Sequence, residues 1–481
     1  MGGRRAPPWH WSKWLAKGGA LISQAVLDDA VMDSFPLAGN PDMLHYGPIP
    51  VAPLMWVDDM LNSCETIEQA RKANTKINIL MKQRGLNLHK EKSSCIIIGS
   101  KSQKAKISAE LEKNPLLCGD FVTKEKQDEK WLGQYLSARG LAASVEKTVT
   151  AREGKIRAAG LEVVAIVQDW RSRAAGGLET ALHLWQACCL SSLLAGAGTW
   201  IEMSASTEKK LNSIQNWFLR LILQVGPGAP LASLLWDTGL LDMGLLVWME
   251  KLMVMHHVRS LEETTLARRV YEEQKANKLP GLVEETEEIC RRLEVESVHT
   301  TLLDGKKYRK LVNAALHKEN KRRLQFLAKD KTKCDVIFTE NYGQREYLKG
   351  KDIISARVHY KTRFKLLQFA GNYKKDKRFA KTLWLCQCKT SIENESHLLE
   401  GNCRVYGPIR TNFGDIDTEE DLIRFFTEVL EERGRLEEEE QVEQEEEQVA
   451  RSSPSGGADT TDDASGGLSS PQASLGSLRT N

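Results

Sequence analysis

The chain has 481 residues, of which 41% are hydrophobic and 27% are charged, and its net charge is +2. This composition suits a folded protein of roughly three domains, and it excludes a wholly disordered chain or a fibre. The charge is uneven: residues 1–410 hold 62 basic and 46 acidic residues, whereas residues 411–481 hold 5 basic and 19 acidic residues. A basic body with an acidic tail indicates a polyanionic partner such as nucleic acid, or a solvated surface with a solubilising tail.

Targeting signals are not evident in the sequence. The longest weakly apolar stretch, residues 190–201, is shorter than the ~20 apolar residues of a membrane-spanning helix, so we expect no membrane contact. The first residues include Arg4, Arg5 and three tryptophans but no apolar core with a cleavage site. The ten cysteines are scattered, which favours reduced thiols. We therefore expect a nuclear or cytoplasmic protein that is not secreted.

The first 140 residues alternate between predicted strands and helices. Residues 51–57 form an apolar run between prolines, which predicts a buried strand that enters a hairpin at Asp58-Asp59. A helix is predicted from a cap at Ser63 to a stop at Gly85. Residues 95–98 and 131–136 are predicted to form two further strands.

After residue 140 the pattern becomes helical. The clearest helix is predicted over residues 206–225, where one apolar stripe ends at Gly-Pro-Gly. Residues 305–382 are strongly basic, and an amphipathic helix is predicted over residues 419–432. An acidic run covers residues 437–447, and residues 452–481 are too polar to fold. The predicted fold class is α+β, followed by mostly α-helical structure and a disordered acidic tail.

The adjacent carboxylates Asp58 and Asp59 are the sharpest chemical signal in the sequence. Two carboxylates at a hairpin tip repel each other unless a cation lies between them. Mg²⁺ suits such a site, because it binds one or two carboxylates together with substrate phosphates, and two metals can assist an in-line displacement. The alternative is an ordinary solvated turn.

The sequence around this pair is similar to a known family. Residues 53–59, Pro-Leu-Met-Trp-Val-Asp-Asp, resemble the x-x-Asp-Asp hairpin of reverse transcriptases. Residues 85–93, Gly-Leu-Asn-Leu-His-Lys-Glu-Lys-Ser, resemble the Gly-Leu-x-Leu-x-x-x-Lys-Ser/Thr segment that follows it. Residues 131–133, Trp-Leu-Gly, resemble the primer-grip turn, and residues 18–28 resemble the end of the segment that shapes the template and nucleotide pocket.

Two later segments resemble the thumb of the same family. They are residues 215–220, Gln-Asn-Trp-Phe-Leu-Arg, and residues 234–241, Leu-Leu-Trp-Asp-Thr-Gly-Leu-Leu. In this order, the segments resemble the reverse transcriptase of non-LTR retrotransposons, the jockey-like animal elements, over about residues 18–410. The resemblance implies RNA-directed DNA polymerase activity with RNA and DNA as partners. It also implies Asp58, Asp59 and Lys92 as catalytic residues, and Mg²⁺ bound by Asp58 and Asp59.

One element of the family pattern is missing. The family has a further aspartate upstream of the segment that begins here near Gly18, yet residues 1–17 contain no Asp or Glu. The fingers and the preceding endonuclease domain are not matched either. We therefore expect an incomplete palm and a chain that is inactive alone. The alternatives are a non-catalytic nucleic-acid-binding protein derived from such an element, and a helical scaffold for protein partners.

Four potential zinc ligands occur near the C-terminus. Cys386, Cys388, His397 and Cys403 have the spacing C-x-C-x8-H-x5-C and make a complete tetrahedral ligand set. The single residue between the first two cysteines is fewer than the two to four that are typical. The alternative is that Cys386 and Cys388 flank a short strand and are merely buried beside Trp384. Non-LTR elements often carry a Cys/His cluster after the thumb, followed by a Tyr and an Arg, which Tyr406 and Arg410 match.

A basic stretch with interleaved aromatic residues, residues 357–381, precedes the Cys/His cluster. It suits phosphate contact with base stacking, and it equally suits a helix with a buried aromatic face. In chain order, we predict an incomplete palm over residues 1–140, a helical thumb over 141–265 and a basic helical region over 266–382. A Cys/His module follows over residues 383–410, and an acidic, largely disordered tail over 411–481.

Overall fold

The structure is a computed structural model, and it describes most of the chain between residues 44 and 452. The described residues are 44–51, 53–56, 59–83, 85–168, 177–329, 331, 334–350, 353–367, 386–391, 395–400 and 403–452. The chain divides into two compact units, residues 1–395 and residues 396–481. Helices dominate the described residues and short strands accompany them near the start, so the fold class is α+β as predicted.

The strands of the first unit are short and pair in twos. In chain order they are β1 Leu44–Tyr46, β2 Ile49–Val51, β3 Leu54–Trp56, β4 Asp59–Leu61, β5 Ser94–Cys95, β6 Leu117–Cys118, β7 Phe121–Val122, β8 Lys124–Glu125, β9 Asp128–Trp131 and β10 Gln134–Ser137. The antiparallel pairs are β1–β2, β3–β4, β6–β7 and β9–β10, and β5 pairs with β8 in parallel. Within the described residues, these pairs do not join into a larger sheet.

The predicted hairpin after residue 53 is present, but the predicted strand before it is divided. The strand expected over residues 51–57 is split between β2 and β3 at Pro53, because proline has no N–H to donate to a strand partner. Strands β3 and β4 then pair antiparallel, with Trp56 opposite Asp59.

The strand expected over residues 131–136 is instead a hairpin. Leu132 and Gly133 both have positive φ, 47° and 77°, which a two-residue turn of type I′ requires. Trp131 therefore pairs with Gln134 across the turn. The glycine inside the expected strand is thus the residue that reverses the chain.

Helix α1, Ile67–Gln83, follows the hairpin and matches the predicted apolar stripe. Its buried side chains include Ala73, Ile77 and Leu80. The cap is Thr66 rather than the expected Ser63, since the Thr66 hydroxyl accepts a hydrogen bond from the Gln69 backbone N–H at 3.1 Å. Helix α2, Lys101–Lys113, comes after β5 and buries no side chain.

Helices form the remainder of the first unit. They are α3 Leu141–Gln168, α4 Gly177–Leu184, α5 Ser191–Leu193, α6 Ala205–Leu223, α7 Leu231–Thr238, α8 Met243–Ser260, α9 Leu266–Asn277, α10 Leu282–Leu293, α11 Gly305–Ala328, α12 Val336–Thr339 and α13 Ile353–Arg363. A π-helical turn, Trp185–Leu190, joins α4 to α5. Trp185 stacks on Phe218 of α6 at 4.1 Å between ring centroids, at the centre of one hydrophobic core. A second core joins α8 to α11 around the buried Tyr308.

The second unit contains one long acidic helix. Helix α14, Glu395–Leu399, lies at the boundary between the units, and α15, Gly407–Phe413, precedes α16, Glu419–Ser452. Phe425, Phe426 and Val429 are buried, so the predicted amphipathic helix is present. Helix α16 continues through the acidic run at residues 437–447. This run belongs to the tail that the sequence predicts as largely disordered. Residues 453–481 lie outside the described residues.

Among the described residues, one bent pair of helices passes a test for membrane spans by length and composition. In the part of the chain that the structure describes, no single helix is long and apolar enough to cross a membrane. Helices α7 and α8 together have a sufficient length and composition, but they are bent by 52°. Both contribute fully buried side chains, such as Trp236 and Leu252, to the cores of the first unit.

Candidate metal centre and basic surface

The predicted catalytic residues are described only in part. Asp58 lies outside the described residues, and Asp59 begins β4 with an exposed side chain. Lys92 is exposed in a turn, where its backbone N–H donates to the His89 carbonyl oxygen at 3.2 Å. Within the described residues, Asp59 does not belong to any group of three or more potential metal ligands. The magnesium site implied by the family resemblance therefore stays a prediction.

The predicted zinc ligands come together in space. The ligand atoms of Cys386, Cys388, His397 and Cys403 all lie within 4.8 Å of one another. The three cysteines are at most 1% exposed and His397 is 9% exposed. All three thiols are free of disulfide bonds. Three sulfur atoms and one imidazole thus converge in a site from which water is largely excluded.

A tight turn positions the first two cysteines. The Cys386 backbone N–H donates to the Ser391 carbonyl oxygen at 2.8 Å, and the Cys386 carbonyl accepts from the Lys389 N–H at 2.7 Å. Lys389 has a positive φ of 62°, which reverses the chain immediately after Cys388. The short C-x-C spacing is therefore accommodated by a turn, and the alternative of two cysteines flanking a strand does not describe residues 386–391.

Short helices hold the other two ligands. His397 lies on α14, and Cys403 lies before the turn that leads into α15, where the Tyr406 N–H approaches the Cys403 sulfur at 3.5 Å. Arg410 of α15 donates from Nε to the Leu399 carbonyl at 2.9 Å, which ties α15 to the end of α14. Tyr406 is fully buried. The Tyr and Arg that follow the cysteines in the sequence therefore support the ligands structurally.

The geometry of this cluster fits a structural zinc ion. Zn–S bonds of about 2.3 Å and Zn–N bonds of about 2.0–2.1 Å place neighbouring tetrahedral ligand atoms roughly 3.5–3.8 Å apart. The largest separation in the cluster, 4.8 Å, exceeds this by about 1 Å, a distance that a rotation of side chains covers. The cluster is therefore a buried Cys₃His arrangement that is compatible with zinc.

Helix α11 concentrates the basic charge that the sequence places in residues 266–382. It contains eight Lys and Arg residues and one Glu, whereas α10 contains four Glu and two Arg residues. One side of α11 is buried through Tyr308, Val312, Leu316, Asn320 and Leu324. Six of its cations are exposed: Lys306, Lys307, Arg309, Lys310, Lys318 and Arg322. From Lys306 to Arg322 the helix therefore presents exposed cations over a length of about 24 Å at 1.5 Å per residue.

Among the described residues, no carboxylate pairs with half of these exposed cations. Ion pairs join Lys307 to Asp304 at 3.4 Å, Lys318 to Glu294 at 3.2 Å and Arg322 to Glu319 at 2.8 Å. Among the described residues, no carboxylate lies within ion-pair distance of Lys306, Arg309 or Lys310. Exposed ion pairs contribute only about 0–1 kcal/mol, so the paired cations also remain accessible to an anionic ligand.

In the described part of the basic aromatic stretch, the aromatic side chains are buried. Their burial favours a helix with a buried aromatic face over base stacking at these residues. Tyr360 and Phe364 are fully buried, and the Tyr360 hydroxyl shares a hydrogen bond of 2.8 Å with the Ser233 hydroxyl. Arg357 is also buried and donates from Nε to the Ile222 carbonyl at 2.8 Å. Burial lowers the pKa of Arg357 to about 10. The aromatic residues at 369, 373 and 379 lie outside the described residues.

Neither protein-family models nor curated proteins give a match to the chain. The function of the chain is therefore inferred from its own residues and their geometry.

Proposed function

We propose that this chain binds RNA and DNA and is part of an RNA-directed DNA polymerase of the non-LTR retrotransposon type. The cationic surface of α11 is the observation that carries the binding part of this proposal. Seven net positive charges on one helix favour a polyanion, because each phosphate contact releases condensed counterions. The order of the reverse-transcriptase-like segments along the sequence supports the descent from a polymerase.

The Cys₃His cluster has a structural role in this proposal. Zinc bound by Cys386, Cys388, His397 and Cys403 would hold these four side chains together. Four protein ligands leave no open position for a substrate, as in structural zinc sites. Mg²⁺ at Asp58 and Asp59 remains part of the proposed polymerase ancestry, without support from the described residues.

A non-catalytic nucleic-acid-binding protein derived from such an element is the second candidate. The exposed Asp59, which has no cluster of carboxylates around it in the described residues, favours this candidate over an active polymerase. Both candidates require the chain to bind nucleic acid, and they differ in whether any polymerisation remains.

RNA binding by α11 is tested with a triple variant, Lys306→Gln, Arg309→Gln and Lys310→Gln. We expect weaker binding of a single-stranded RNA in fluorescence anisotropy. The slope of log K against log salt should fall by about 2, since each lost phosphate contact contributes about 0.7 for single strands.

The matched control removes the same charge from a different helix. Lys101, Lys106 and Lys113 are exposed on α2, and their triple change to Gln removes three positive charges without disturbing the core. We expect a clearly smaller loss of affinity from this control. Equal losses would show that only net charge matters, and absence of RNA binding by the unaltered chain would overturn the proposed function.

A further inference from the structure

Phe326 is an exposed aromatic residue on the cationic helix α11. Its side chain is 77% exposed, more than the side chains of Leu327 and Phe338 nearby in the sequence, which are 43% and 52% exposed. Two residues away, Leu324 is buried and faces the core. Because consecutive helix positions differ by about 100°, Phe326 points almost directly away from Leu324. The ring therefore does not contribute to the core of the first unit.

Cations lie on the turns on both sides of Phe326. Lys318, Arg322 and Lys329 are all exposed. Lys318, Arg322 and Phe326 follow one another at intervals of four residues, and Lys329 comes three residues after Phe326. Residues at these intervals lie along one side of a helix. Arg322 pairs with Glu319 of its own helix, but its side chain is 75% exposed while that of Glu319 is only 15% exposed. The Glu319 carboxylate is thus largely covered, whereas the Arg322 guanidinium group faces solvent.

A small hollow has Phe326 among its lining residues. It has a volume of about 260 Å³, and its lining includes Leu231, Leu235, Leu324, Phe326 and Leu327, with Arg322 among its polar residues. Asp242 also lines it, but the Asp242 carboxylate already accepts from the Gly244 N–H at 2.8 Å and lies 3.6 Å from Arg323. The negative charge in the hollow is therefore compensated within the protein.

The size and chemistry of the hollow suit one planar aromatic group. Pockets for drug-sized ligands typically have volumes of about 300–1,000 Å³, so this hollow is too small for most of them. An exposed aromatic ring between cations is the arrangement by which proteins hold single-stranded nucleic acid, with a base on the ring and phosphates on the cations. The positive charge of the ridge favours a polyanion over an apolar peptide as the occupant.

We propose that Phe326 and the hollow beside it bind one unpaired base of a single-stranded nucleic acid. Arg322, Lys318 and Lys329 then contact the phosphates on either side of that base. The proposal rests on the proposed function, because it requires that the chain bind nucleic acid. It adds a preference for single strands, since the faces of paired bases in a duplex are covered by their neighbours.

Phe326→Ala tests this proposal. We expect its dissociation constant for a single-stranded RNA of mixed sequence to rise about fivefold or more, because base–aromatic stacking is lost. The slope of log K against log salt should stay the same, since no cation is removed. For an RNA duplex of equal length, the dissociation constant should change less than twofold.

Two further variants separate stacking from other effects. Phe326→Trp should preserve single-strand binding, whereas Phe326→Leu should lose it, although both side chains are large and apolar. Phe338→Ala removes another exposed ring that does not line the hollow, and it should leave binding unchanged. Circular dichroism of each variant verifies that the helices are intact.

The outcomes distinguish the two proposals. If the unaltered chain binds RNA and Phe326→Ala binds single strands equally well, or loses duplex binding to the same extent, the base-binding site is wrong while the proposed function stands. If the unaltered chain binds no RNA, both proposals are wrong, and the exposed ring and its hollow then fit a protein partner.

Discussion

Asp237 shows how a residue inside a family-like segment acquires a structural role. It lies in the Trp-Asp-Thr-Gly segment, is fully buried, and accepts hydrogen bonds from Arg363 Nε at 2.9 Å and from the Tyr347 hydroxyl at 2.6 Å. Arg363 also binds Glu340 at 2.7 Å, and this hydrogen bond is the main cause that lowers the pKa of Glu340. A buried charge is tolerated only when it is paired in this way. The segment therefore anchors residues 340–363 to α7.

In the proposed polymerase, Asp58 and Asp59 are the residues on which we expect activity to depend. We expect the purified 481-residue chain to show no primer extension on a poly(A) template with Mg²⁺, since Asp59 does not belong to any group of three or more potential metal ligands among the described residues. Loss of a group that positions a metal removes much of the several kcal/mol by which metals stabilise charge in the transition state. Asp58→Ala and Asp59→Asn should therefore change nothing measurable.

The opposite result would be equally clear. Robust extension by the unaltered chain that disappears in Asp58→Ala would show that the carboxylate pair is active, with its third ligand supplied from another part of the molecule or from a partner. The exposed Lys130→Gln serves as a control for non-specific effects on the assay.

At the level of elements, periodic helices were predictable and short strands were not. The apolar stripe of residues 206–225 predicts α6, Ala205–Leu223, to within two residues at each end. The strand expected over residues 131–136 is a hairpin because Leu132, a branched residue that rarely adopts positive φ, does so here beside Gly133. Local composition gives little warning of such a turn.

The functional elements show the same contrast. The Cys/His cluster was predictable because ligand residue types are rare and their spacing is readable. Phe326 was missed, although a signal exists: it falls outside the buried stripe of α11, which includes Leu316, Asn320 and Leu324. The sequence suggested Tyr360 and Phe364 as residues for base stacking, but both are buried. Burial of their apolar surface stabilises the fold.

The Cys/His module should hold one zinc ion. We expect metal analysis of the untagged protein to give about one zinc per chain, and Cys403→Ala to lower this to near zero, because three remaining ligands bind zinc weakly. Structural zinc sites contribute folding free energy directly, so a chelator should expose α14 and α15 to proteolysis.

A matched cysteine controls for the loss of a thiol. Cys334 is fully buried in the first unit but does not belong to the cluster. Cys334→Ala should keep its zinc, whatever its effect on stability. A zinc content near zero in the unaltered protein, or one that Cys403→Ala leaves unchanged, would mean that the four residues are only packed together.

The whole molecule combines a basic body with an acidic end. Residues 1–410 have a net charge of +16 and residues 411–481 a net charge of −14. Part of that acidic charge lies on α16. A tethered group has an effective concentration of around millimolar when its linker is short and flexible. Even a weak electrostatic contact with the body would then compete with nucleic acid.

Deleting residues 431–481, which carry a net charge of −9, should therefore tighten the binding of single-stranded RNA at low salt. The gain should shrink as salt rises, because the Debye length falls to about 8 Å at physiological ionic strength and both attractions are screened. The measurement is the RNA dissociation constant of the full chain and of the deletion across a salt series. A deletion of residues 453–481 alone, with a net charge of −2, is the matched control and should show little gain. Equal affinities at every salt concentration would show that the acidic end does not compete for the basic surface and only keeps the protein in solution.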